Sequence, residues 1–169
     1  VMNIGELLVN VITVLLFYFF ISRTFTLRRF HWICRGIGLM LLFVLITLLN
    51  LMNIAPTITC VSGLICQILY TMVFAEGSRG ARLLIGGIPA LLAVVSDSVT
   101  FSVLGILFQD TSEALTVNSA IRSQALVIYI LTYCLLIWAV IQFFPQDLKF
   151  PGYFEGVIFL TCGLGVFCL

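Results

Sequence analysis

Charge is what this chain has least of. Asp, Glu, Lys and Arg make up 9% of its 169 residues, where a soluble domain carries about 25%. That shortage excludes an ordinary water-facing surface. The balance of the few charges is +1, which leaves no basic stripe for a phosphate backbone, so no nucleic-acid partner is expected. Histidine occurs once, and the six cysteines include no CxxC pair. Without such spacing neither a metal site nor a redox dithiol is expected. Four prolines and thirteen glycines are too few for a fibrous or disordered chain. No Walker loop, HExxH or GxSxG occurs, nor is any pair of carboxylates in reach of one substrate. The expectation is therefore no catalytic residue, no metal and no cofactor in these residues.

What is present is apolar length. Hydrophobic residues form 62% of the chain and the mean hydropathy is +1.24. A bilayer-crossing helix needs about 20 mostly apolar residues. Six runs qualify: 4–22, 36–54, 57–75, 83–108, 122–144 and 153–169. They predict an all-α polytopic membrane protein forming a single transmembrane helical domain over 1–169, with its last helix cut short if the chain is a fragment. Most cysteines fall inside these runs, where a free thiol behaves as a small hydrophobe. The first run is not a signal peptide, because its positive charges follow the apolar stretch and no small-residue cleavage site succeeds it.

Lys and Arg set the orientation, since they are retained on the cytoplasmic side. "RTFTLRRFHWICR" (23–35), "EGSRGAR" (76–82) and "FPQDLKFPG" (144–152) hold seven of the eight basic residues. All three connections fall on one side of a six-span chain. Only Arg122 stands opposite, beside Asp110 and Glu113. This predicts a multi-pass protein of the cell membrane with its N-terminus outside. Trp32 and Tyr18 near the first inner loop, and Phe143 and Phe144 near the last, suit the headgroup layer.

Polar residues inside the runs are the candidate site. Asp97 lies about 21 Å along its helix from Leu83, within the hydrocarbon core. Its helical stripe reads Gly86, Ala90, Ala93, Asp97, Thr100, Leu104, small or polar residues that admit a neighbouring helix. The carboxyl is therefore expected to face protein, with Ser96 and Ser98 as possible donors. Its role is either to fix helix register or to contact a ligand or proton. Gln67, on the polar face Thr59, Gly63, Cys66, Gln67 and Tyr70 of the third run, is placed to reach that stripe. Glu6, Asn10, Asn50 and Asn53 lie toward the outer ends of their helices. They either line an outward-facing cavity or are simply hydrated. Pro89 follows Gly86 and Gly87, so a kink or hinge is expected there. His31 and Cys34 in "HWIC" form an imidazole–thiol pair among arginines, although no third orienting residue accompanies them.

One stretch, "VFAEGSRGARLLIGGIPALLAVVSDSVTFSVLGILF" (73–108), resembles the membrane sensor region of GHKL-type histidine kinases of Gram-positive bacteria. The accessory-gene-regulator peptide receptors of quorum sensing belong to that group. The likeness rests on Phe74, the connector Gly77-Ser78, a base at Arg79 or Arg82, and a mid-membrane acid at Asp97. "IRSQALVIYILTYCLLIWAVIQFF" (121–144) is similar in character to that family's next helix. The phosphoacceptor histidine helix and the ATP-binding boxes are not among these residues, so the resemblance implies a fragment or a receptor without its own kinase.

The resemblance implies a signal-sensing domain of a two-component system in a bacterial cytoplasmic membrane. An extracellular peptide or small molecule would bind near the first, second and fourth helices. Helix repacking would carry the signal to a cytoplasmic kinase domain and, through it, a response regulator. A homodimer is implied by the resemblance alone. Two further readings stand beside it: a small transporter using Asp97 and Gln67 at midplane, and a membrane enzyme using His31 and Cys34.

Overall fold

The computed structural model describes residues 4–29, 32–52, 56–107 and 119–143. They form five helices: α1 (Ile4–Thr24), α2 (Trp32–Leu51), α3 (Pro56–Phe74), α4 (Arg79–Leu107) and α5 (Ser119–Phe143). The described residues contain no strand, so the all-α expectation holds for them. The predicted sixth run, 153–169, lies outside the described residues.

Four helices are long and apolar enough to cross a bilayer: α1, α2, α4 and α5 over Ile121–Gln142; α3 adds a shorter apolar stretch, Ile58–Phe74. Their outer surface explains the composition. Met40, Leu41, Val44 and Leu48 of α2, and Leu131, Leu135 and Trp138 of α5, are all exposed. Water tolerates contiguous apolar patches of only a few hundred Å² on a monomer, so lipid is the environment these helices suit.

The helices form a ring in chain order. Each packs on the next, and α5 closes the circle against α1, while α3 and α4 share the most extensive interface. Small residues allow that last contact: at Gly86 a Cβ would stand 2.8 Å from the Thr71 side chain. Without a hydrophobic force between helices in lipid, such close approach is what holds them.

Two observations fix which ends lie together. The α1–α2 and α3–α4 connectors pair through an antiparallel bridge, Leu27 with Ala75. Arg28 N–H donates to Phe74 C=O, and Glu76 N–H donates to Thr26 C=O, both at 2.9 Å. Gly77 makes the turn possible by adopting φ = 142°, a region closed to most side chains. At the opposite end the first turn of α1 meets the first turn of α5 through an ion pair between Glu6 and Arg122.

The helices start earlier than the apolar runs suggest. Arg35, expected in the first loop, sits in the first turn of α2. Arg79 and Arg82, expected in a connector, open α4. Arg82 is buried, and its Nη1 donates to Met72 C=O at 2.6 Å. The last carbonyls of a helix lack intrahelical donors and carry partial negative charge, so this guanidinium closes the end of α3. Hydropathy reads such a residue as loop because it counts the charge and not the partner.

Among the described residues the ring is filled at one end only. Phe17, Phe20 and Ile21 of α1, Leu42 of α2, Tyr70 of α3, Ile85 of α4, and Tyr133 and Ile137 of α5 form one buried cluster. Phe17 and Tyr70 meet edge to face at 5.4 Å, and Tyr70 contacts Phe74 at 4.7 Å. This cluster lies toward the paired connectors. The opposite half is open.

Candidate functional site: a polar cavity inside the helix ring

The open half holds a cavity of about 400 Å³ lined by Glu6, Val9 and Asn10 of α1, Leu49 and Asn50 of α2, Thr59 and Cys60 of α3, Asp97 of α4, and Arg122 and Leu126 of α5. A second, overlapping lobe of about 390 Å³ shares most of these walls and runs deeper, to Gln67, Ala90 and Tyr129. All five helices contribute. Asp97, Gln67, Glu6, Asn10 and Asn50, far apart in the chain, thus share the walls of one continuous hollow. Asn53, Asp110, Glu113 and His31 lie outside the described residues. Cys34 is exposed near the start of α2, toward the paired connectors and away from the hollow.

The depth of Asp97 follows from helix geometry. Eighteen residues separate it from Arg79, or about 27 Å of rise, and about 15 Å remain to Leu107. Small residues line the wall on the filled side of it: Ala90 and Ala93 border the deeper lobe, and Gly87 lies against Leu64. Larger side chains there would close the hollow. The expected help from Ser96 and Ser98 goes elsewhere, and this corrects the reading from sequence. Ser96 Oγ donates to Leu92 C=O at 2.8 Å and Ser98 Oγ to Val94 C=O at 3.0 Å. A helical serine finds the carbonyl one turn back closer than a neighbouring carboxylate. Thr100 behaves alike, donating to Ser96 C=O at 2.7 Å.

At the mouth the groups are paired. Glu6 and Arg122 form an ion pair, with Glu6 the less exposed partner. Asn50 Nδ2 donates to Asn10 Oδ1 at 3.0 Å, and Asn10 Nδ2 donates to Thr47 Oγ1 at 3.4 Å. These amides tie α1 to α2 and explain why Asn10, though polar, is buried. Deeper in, Tyr129 and Thr13 share a side-chain hydrogen bond, and pairing stops at Gln67. Gln67 is 3% exposed and its Oε1 has no hydrogen-bond partner. Asp97 shares the deeper lobe with it, and no hydrogen bond joins the two. The expected Gln67–Asp97 contact is therefore a shared wall of the cavity.

Pro89 is fully buried within α4, and the helix runs through it from Arg79 to Leu107. Its missing N–H leaves Ile85 C=O without the usual donor.

Several lining residues were not singled out as site residues from sequence. Arg122 looked like a helix-end base on the sparse side of the membrane. Its partner is 116 residues away, beyond any local spacing rule. Thr59 and Cys60 border both lobes, and Tyr129 the deeper one. Thr59 belonged to a recognisable polar stripe. Tyr129 carried no signal beyond helical spacing from Arg122 and Leu126.

No protein family, no curated protein and no solved structure matches this chain.

Proposed function

We propose that this chain is the membrane-embedded sensing domain of a two-component histidine kinase, binding an extracellular peptide or small molecule in the cavity of the helix ring. The observation that carries the reading is the cavity itself, a hollow lined by polar and apolar side chains of all five described helices. A ligand seated there touches every helix at once, so its binding energy bears on their relative packing. It shifts that packing only by binding one arrangement better than another, and the helix turn around Pro89, already short of one hydrogen bond, is where α4 yields most easily.

In this reading the N-terminus and the mouth of the cavity face outward, and the paired arginine-bearing connectors face a bacterial cytoplasm. The run 153–169 supplies a sixth span. A kinase domain receives the signal as a homodimer and passes it to a response regulator. The resemblance of 73–108 to GHKL-type sensors supports that assignment, along with the position of Arg79 and Arg82 relative to Asp97. The coding sequence downstream of Leu169 tests it. A further helix followed by a phosphoacceptor histidine and ATP-binding boxes is the expected result, and an in-frame stop would remove the kinase assignment.

Asp97 supports a second reading, a small transporter. An acid deep in a bundle and bordering a hollow is where transporters hold substrate and coupling ion. Uptake into proteoliposomes, lost on Asp97→Asn, would replace the sensing assignment; binding without uptake supports it.

A further inference from the structure

Donors and acceptors around the cavity are not in balance. Three described charged residues line it: Glu6, Asp97 and Arg122. Arg122 is engaged by Glu6, so one carboxylate is left over. Asp97 makes neither a hydrogen bond nor an ion pair with any described residue. The amides nearer the mouth are satisfied by each other and by Thr47. The serine and threonine hydroxyls on the turns beside Asp97 are turned to their own backbone. Among the groups left without a hydrogen-bond partner in the deeper lobe are two oxygen acceptors, the Asp97 carboxylate and the buried Gln67 Oε1. Gln67 Oε1 is buried without a donor, which is costly, and Asp97, which is exposed, borders the same lobe.

We infer that the deeper lobe of the cavity is a binding site for an organic cation, a primary ammonium or guanidinium group that donates to Asp97 and Gln67. The inference rests on the reading that the cavity is the ligand site and adds the charge and chemistry of what enters. An ammonium has three donors and no acceptor and a guanidinium five, which suits a wall that offers acceptor oxygens. Phe101 and Tyr129 border the same lobe, and aromatic faces attract such cations. The volume of this lobe, about 390 Å³, sits at the lower end of small-ligand pockets. It admits a small amine or the amino end of a peptide.

A matched series separates charge from shape. Phenethylamine, 2-phenylethanol and phenylacetate differ in one polar group, and each is titrated by calorimetry into the 169-residue chain in lipid nanodiscs. Phenethylamine is expected to bind at least about tenfold more tightly than the other two, the range of a charge-assisted hydrogen bond. Asp97→Asn should erase that preference, Asp97→Glu should keep it, and Gln67→Leu should weaken phenethylamine selectively. Helical circular dichroism and a retained melting transition show that each variant is folded. Ala93→Phe, which fills the lobe, should abolish binding of all three. Equal binding of the three probes, or preference for phenylacetate, overturns the cation inference while loss of binding in Ala93→Phe leaves the site reading standing. Preference for phenethylamine that survives both Asp97→Asn and Ala93→Phe places the cation elsewhere and overturns the inference. No binding by any probe overturns both.

Discussion

Gly86 and Thr71 mark the place where α3 and α4 come closest, and they show how single residues hold this ring. A methyl group at Gly86 would lie 2.8 Å from both Cβ and Oγ1 of Thr71. The threonine has nowhere to go, because it is wholly buried and its hydroxyl donates to Gln67 C=O at 2.8 Å. Gly86→Ala is therefore expected to destabilise the protein by about 1–3 kcal/mol, read as a lower melting temperature in detergent. Gly105 meets nothing within 4 Å of its added Cβ. Gly105→Ala removes a flexible residue from an open helix face and should be neutral or stabilising by about 0.5–1 kcal/mol. The pair distinguishes packing from helix propensity. Gln67 feels the first change too, since its carbonyl holds Thr71, so Gly86→Ala should also disturb the floor of the cavity.

Between elements, the ion pair of Glu6 with Arg122 joins α1 to α5 at the open end, beside the close packing of Gly5 on Leu126. Glu6→Arg sets two guanidiniums against each other and Arg122→Glu sets two carboxylates, so each lowers stability. The double exchange restores the pair with its polarity reversed. A double-mutant cycle in detergent should return a coupling of about 0.2–1 kcal/mol, because Arg122 is 43% exposed and exposed pairs are worth little. A cycle with no coupling would show that the ion pair adds nothing to the other α1–α5 contacts, the Thr13–Tyr129 hydrogen bond among them. This pairing was not readable from sequence. The helices themselves were, since apolar length alone located 4–22, 57–75 and 122–144 to within a few residues of α1, α3 and α5. The α2 start was missed because Trp32 to Arg35 mix an aromatic with a charge, and the α4 start because Arg82 is buried by its bond to Met72. Asp97, Gln67, Glu6, Asn10 and Asn50 stood out as polar residues in apolar runs, and that signal is local. Their meeting in one hollow depends on ring closure, which no spacing along the chain encodes.

For the whole molecule, the paired connectors and the cavity mouth lie at opposite ends of the bundle, so one labelling experiment orients both. In a cysteine-free background, Glu76→Cys and Arg79→Cys, both at exposed positions, should resist a membrane-impermeant maleimide applied to intact cells and react after permeabilisation. Asn50→Cys, exposed at the far end of α2, should react without permeabilisation. The reverse pattern would turn the bundle over and direct the cavity toward the cytoplasm.

The two connectors that meet through Leu27 and Ala75 do more than share a side. They sew one hairpin to the next with backbone bonds, above a floor of interlocked aromatic rings, whereas the described contacts at the far rim are between side chains. Among the described residues the bundle is thus tied by backbone at one end and by side chains at the other. A guest entering by the mouth would meet the end held by side chains before the end held by backbone.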